Sequence, residues 1–167
     1  MKTKRILTLL LTITIAMVVE AQQAMDFVGK FMTVCEGDSM VKCITVSPKM
    51  MEQIVENHQG DDERSEAFEQ AISKLKSARI VTAPTEYYER AELLIKKYAS
   101  RFKAEQEFQT DEVRGTFYTR QDKKGRTAEL IMLREDNVRK QMTIVCLTGD
   151  IDKEFLCFLY NNKSLKD

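Results

Sequence analysis

The sequence predicts an α+β fold: a mainly antiparallel sheet with a C-terminal hairpin meander and helices packed on one face. Three observations carry this. Segments with helical apolar spacing fill the chain up to about Phe102. After Lys103 the period shortens to that of strands, over "AEQEFQT", "VRGTFYTRQ", "TAELIML" and "RKQMTIVCLT". Turn signals separate these last runs, with Gly125 inside "DKKGR" and "REDN" as the next turn. Helices followed by a run of strands is the element order of an α+β domain.

The elements follow in chain order. "AMDFVGKFM" places Phe27, Val28, Phe31 and Met32 on one helical stripe, and "CEGDS" ends it. "MVKCITV" (residues 40–46) is short, apolar and rich in β-branched residues, which predicts a buried strand. "SPKMMEQIVENHQG" has Ser47 as N-cap, Pro48 at the first helical position and Gly60 beyond the end, around a face of Met50, Met51, Ile54 and Val55. "DDERSEAFEQAISKLK" begins with Asp61, Asp62 and Glu63 and ends with Lys74 and Lys76, an order that complements the helix dipole. Its stripe is Phe68, Ala71, Ile72 and Leu75. A short "ARIVT" strand follows. Pro84 and Thr85 then open a longer helix, through about Phe102, whose core face is Tyr88, Ala91, Leu94, Ile95, Tyr98 and Phe102. "TAELIML" alternates imperfectly, as expected of a central strand. No repeat, low-complexity tract or internal linker interrupts residues 22–167, which are read as one domain.

Residues 1–21 stand apart. Lys2, Lys4 and Arg5 precede an uncharged run of 14 residues, Ile6 to Val19, and Val19 and Ala21 fit a cleavage site before Gln22. That is the pattern of a secretory signal peptide, whereas a membrane span needs about 20 apolar residues. The expectation is a periplasmic or secreted protein with no transmembrane segment in the mature chain. The first cysteine is Cys35, so none follows the cleavage site to carry a lipid. Without residues 1–21 the chain has 146 residues and a formal charge of −2, which gives no electrostatic basis for binding nucleic acid or a membrane surface.

In an oxidising compartment Cys35, Cys43, Cys146 and Cys157 permit disulfides in any of three pairings. Their spacings contain no C-x-x-C, so thioredoxin-type redox chemistry and zinc knuckles are disfavoured. Cys43 and Cys146 fall within apolar runs, where a reduced cysteine packs as a small hydrophobe. His58 is the only histidine and has no partner motif. There is no G-x-S-x-G, phosphate-cradling glycine loop or zinc spacing. No residue is assigned as catalytic, cofactor-binding or metal-ligating, and no cofactor is implied. A carboxylate-based hydrolase acting on glycans is the alternative, with Asp111, Asp122, Asp136 and Asp150 at hairpin ends as its candidates.

Charge is unevenly spread. Residues 56–69 hold six acids and one base, and residues 113–140 hold eight bases and four acids. Both fit solvated surfaces. The sharper expectation is a basic hairpin face, with Lys123, Lys124 and Arg126 at its tip, docking an unknown acidic protein or an anionic cell-surface polymer.

"LTGDID" (residues 147–152) sets two aspartates behind a glycine. With Asp152 as N-cap of a last helix, "KEFLCFLYNN", Ile151 and Leu156 form a hydrophobic staple and Glu154 sits in the favourable first turn. A strand-to-helix turn therefore explains these residues without a metal, which would need six or more oxygens. The strand running into Val46, Ser47 and Met50 ("ITVSPKMM"), together with a strand ending in "LTGDID" before a terminal helix, resembles the domain of unknown function 4252 family of small exported Bacteroidetes proteins. The acidic helix from Asp61 and the four cysteines depart from that pattern. The resemblance implies a bacterial envelope location and a small α+β domain, and brings no catalytic residues. The expected role is a non-catalytic interaction or structural module.

Overall fold

The computed structural model describes residues 26–57, 69–98 and 100–161. Residues 1–21, read above as a signal peptide, His58, Gly60 and the expected acidic helix start at Asp61 lie outside the described residues. The chain divides into two compact units, residues 1–36 and 37–167.

In the first unit, α1 (Phe27–Val34) is capped by Asp26, whose Oδ1 accepts from the Gly29 N–H at 2.7 Å. The Phe27 and Phe31 rings stack at 6.4 Å on its buried side.

The second unit is built on a six-stranded sheet in the order β1-β2-β6-β5-β4-β3, antiparallel throughout. The strands are β1 (Lys42–Val46), β2 (Leu75–Pro84), β3 (Lys103–Gln109), β4 (Val113–Gln121), β5 (Thr127–Asp136) and β6 (Gln141–Ile151). Strands β3 to β6 form the expected meander, and β2 then joins β6 across a long connection. The fold class is α+β, as the sequence predicts.

Helices flanking the sheet include α2 (Pro48–Asn57), α3 (Tyr88–Lys97, entered through a 3-10 turn at Thr85–Tyr87) and α4 (Lys153–Asn161). Ser47 caps α2, its Oγ accepting from the Met50 N–H at 3.3 Å. Met51 of α2, Ala71 and Phe155 of α4 share one core with Ala78, Val113, Phe117, Leu130, Met132 and Leu147 of the sheet. Tyr160 of α4 packs its ring 5.0 Å from Phe117. The α3 helix lies on the other face. Its buried Tyr88, Ala91 and Ile95 accompany Tyr118, Ile131, Leu133 and Ile144, which alternate with the first set along each strand. One helical face thus holds for α2 and α4, and α3 covers the opposite one.

Four element expectations shift. The 40–46 strand is not buried: β1 is an edge strand, with Ile44 59% exposed. Its composition suited a core strand, but position in a sheet is fixed by distant pairing. Helical spacing carries Leu75 into the preceding helix, whereas it begins β2, opposite Gly149. The 85–102 helix ends at Lys97, because Tyr98 leaves helical geometry (φ −107°, ψ 25°) and Arg101 and Phe102 turn back onto its carbonyl. "REDN" is not the last hairpin turn. Arg134 to Asp136 stay in β5, and residues 137–140 turn instead, with Lys140 at φ 53°.

No disulfide joins the four cysteines: Cys35 and Cys146 are buried, Cys43 is half-buried and Cys157 exposed. Among the described residues, no helix is long and apolar enough to cross a membrane.

Candidate functional site

Of the carboxylates that the sequence offers for chemistry, Asp122 and Asp150 meet at one guanidinium, that of Arg126, while Asp136 lies at the far end of β5 and Asp111 in the β3–β4 turn. Asp122 accepts from the backbone N–H groups of Lys124 (2.8 Å) and Arg126 (3.0 Å) and binds the Arg126 guanidinium at 2.9 Å. These donors, the Arg126 N–H foremost, hold its carboxyl below the usual range. Asp136 sits at the opposite end of β5, accepts from the N–H groups of Val138 and Arg139 (3.1 and 2.8 Å), and is also held low, chiefly by the Arg139 N–H. Asp111 is exposed in the β3–β4 turn. Asp150 is exposed too, with its Oδ2 at 3.5 Å from Arg126. A general acid needs a carboxyl raised toward neutrality, and both shifts run the other way.

Asp152 does what its position in "GDID" demands. Its Oδ1 accepts from the Phe155 N–H at 2.9 Å, capping α4, and its Oδ2 meets the Lys74 ammonium at 2.9 Å. The helix N–H first, and Lys74 second, hold its carboxyl low. Gly149 has a sharper purpose than easing a bend. At φ +145°, it lets β6 pass so close to residues 74–76 that a Cβ would lie 2.5 Å from the Lys74 carbonyl oxygen. Among the described residues, no three His, Cys, Asp or Glu side chains converge as metal ligands.

The basic 113–140 segment is not one free positive face. Arg114 pairs with Glu135, Arg120 with Glu129 at 2.7 Å, Arg126 with Asp122, and Arg134 and Arg139 with Asp136 at 3.4 and 3.8 Å. Glu129 and Glu135 are buried, and the Cys146 thiol donates to Glu129 at 3.5 Å. These cross-strand pairs fix register. Lys123 and Lys124 stand at one end of the sheet and Lys140 at the other.

An open cleft of about 260 Å³ lies between α3 and the β3 edge. Tyr88 and Glu92, one helical turn apart, form one wall, and Glu107, Phe108 and Gln109 form the other. Arg114, Gly115 and Thr116 make the floor. Gly115 is required by close approach, since a Cβ there would lie 2.4 Å from both the Leu133 carbonyl oxygen and the Phe108 ring. The Arg114 guanidinium rests 4.6 Å over the Tyr88 ring and is bound by Glu135, so the floor cation is already neutralised. Burial pushes the Tyr88 hydroxyl up to about 12, keeping it neutral. Tyr118, beside the cleft, is raised mainly by burial; both Glu92 and Glu107 push the same way, while Thr116 and Lys96 oppose. The two glutamates therefore act on one place. Glu92 has a surface ion pair with Lys96 at 3.0 Å.

Sequence reasoning placed Tyr88 on a core stripe and gave Glu92, Glu107 and Arg114 no role. The available signal was the alternation Arg114, Thr116, Tyr118, Arg120 on β4, which marks a second, partly polar sheet face.

An antiparallel sheet with helices on both faces and a polar cleft beside an edge strand defines a small α+β domain. The chain belongs to the family described as "Domain of unknown function (DUF4252)", whose model matches residues 35–156. No curated protein and no solved structure was found to match the chain.

Proposed function

We propose that this is an exported, non-catalytic binding module of the bacterial envelope that receives an extended segment of a protein partner in the cleft between α3 and β3. One observation carries the proposal: the cleft opens along an edge strand. β3 is the last strand of the sheet, so its outer backbone groups are available to a further strand, and the cleft gives that strand a side-chain pocket. Strand addition draws affinity from main-chain hydrogen bonds and specificity from such pockets. The walls select the side chain. With Arg114 neutralised by Glu135 and Glu92 paired to Lys96, the net field comes from Glu107, which favours a Lys or Arg of the partner over an acidic residue. We rank the cleft above the basic hairpin tip, where Arg126 is occupied by the chain's own Asp122.

Export rests on the charged start, apolar run and small-residue cleavage site of residues 1–21. N-terminal sequencing of protein recovered from the host envelope should begin at Gln22. The binding claim is tested by crosslinking capture of tagged mature protein there, comparing wild type with Glu107→Lys and with Lys123→Glu. A protein recovered with wild type and K123E, and reduced about tenfold by E107K, supports the cleft. One lost with K123E and kept with E107K refutes it.

A further inference from the structure

We propose that β1 is a homodimer edge, where β1 of one copy pairs antiparallel with β1 of a second copy about Ile44, joining two six-stranded sheets into one. The sheet has two edges, and they are built differently. β3 carries exposed Lys103, Glu105 and Glu107, and pairing with a copy of itself about Gln106 would set Glu105 against Glu107, so its charges disfavour an identical edge and not a partner of opposite charge. β1 has no such opposition. Its register with β2 runs unbroken from Lys42↔Thr82 to Val46↔Ala78, whereas every other strand pair contains a shift. A regular, weakly charged edge is a template for another strand.

Exposed apolar residues gather at the same place. Among the described residues six large hydrophobics are exposed, and Met40 (66%), Ile44 (59%) and Met50 (45%) lie on β1 or within a few residues of its ends. Ile44 also terminates an apolar row that runs inward through Ile80, Val145 and Met132 on the α2 face. The core thus continues to the open edge and stops in solvent.

The sequence of β1 picks out the occupant. Extending an antiparallel sheet with a second copy requires a twofold axis perpendicular to it, so each face continues as itself and opposed residues must share a face. Only registers that pair residue numbers of equal parity satisfy this. Among them, Ile44 opposite Ile44 is the one that uses all five residues of β1. It sets Lys42 against Val46 and Cys43 against Thr45, with no like charges opposed. The two Ile44 side chains meet, and the Met50 end of each copy comes to the Met40 end of the other.

The test uses mature protein, residues 22–167. Sedimentation over a concentration series should show a reversible dimer, with Ile44→Lys raising its Kd by about 100-fold while circular dichroism stays that of wild type. Directly opposed residues in a sheet have Cα atoms about 4.5–5.5 Å apart, within disulfide reach. Thr45→Cys should therefore oxidise to a covalent dimer through Cys43 of the other copy, and C43S/T45C should lose most of that product. Ala104→Cys on β3 is the control for random collision. A wild-type chain that stays monomeric, a dimer that I44K leaves intact, or equal crosslinking by T45C and A104C overturns the proposal.

Discussion

Asp152→Ala separates a helix cap from a ligand carboxylate, and its cost can be worked from the structure. The lost Oδ1 bond to Phe155 N–H, at 2.9 Å, is an N-cap contribution of about 1 kcal/mol. The lost partner of Lys74 adds little. Both side chains are more than a third exposed, 45% and 39%, so solvent screening makes that pair a minor contribution beside the cap. The expected loss is about 1–1.5 kcal/mol, or roughly 3–5 °C in Tm for a domain of this size. Urea denaturation should show a lower midpoint with an unchanged slope. Asp152→Asn keeps a capping side chain and should lose less than half as much. A double-mutant cycle with Lys74→Met should give a coupling much smaller than the cap's contribution, and one that fades as salt is added. The reasoning fails if D152A is neutral. It also fails if calcium or magnesium raises the wild-type Tm by several degrees and D152A abolishes that rise.

Further outcomes follow from the same contacts. Asp122, Asp136 and Asp152 all have depressed carboxyls in the fold, so the stability they give is present above the unfolded aspartate value of about 3.9 and is lost as pH falls through the folded values. Denaturation midpoints should be flat from about pH 6 to 5 and drop below about 4, and D152A should flatten part of that drop. Tyr88 and Tyr160 are pushed up to about 12 by burial, so the fold favours their neutral forms. Alkaline absorbance titration should show two of the five tyrosines ionising last, with stability falling as pH rises above about 10. Gly115→Ala forces a Cβ against the Leu133 carbonyl and the Phe108 ring. It should cost about 2–3 kcal/mol and splay β3 from β4, seen as faster amide exchange in residues 103–109.

Local signals were legible in the sequence and non-local ones were not. β4 and the capping residues Ser47 and Asp152 could be placed from neighbours alone, because alternation, turn residues and cap chemistry act within a few positions. Leu75 shows the opposite case. Its spacing from Ala71 and Ile72 extends a helical stripe, yet it pairs with Gly149, and nothing near Leu75 announces that partner. β1 reads as a core strand for the same reason, since "KCITV" has the composition of an inner strand and only sheet order makes it an edge. The cleft was hidden because residues 88–92, 107–109 and 114–116 meet only when α3 crosses the face opposite α2 and α4. In the basic 113–140 segment the charge was legible but the pairing was not: Arg114 and Arg120 face Glu135 and Glu129 across the β4–β5 ladder. His58 and the acidic helix start fall outside the described residues.

The most direct measurement places a photocrosslinking amino acid at Gln109, on the β3 wall of the cleft, and separately at Lys123, on the hairpin tip, in protein produced by its own host. Binding at the cleft predicts a discrete adduct from Gln109 that disappears when Glu92 and Glu107 are both reversed to Lys, with none from Lys123. An adduct from Lys123 alone, or one from Gln109 that survives the double reversal, would contradict docking in the cleft.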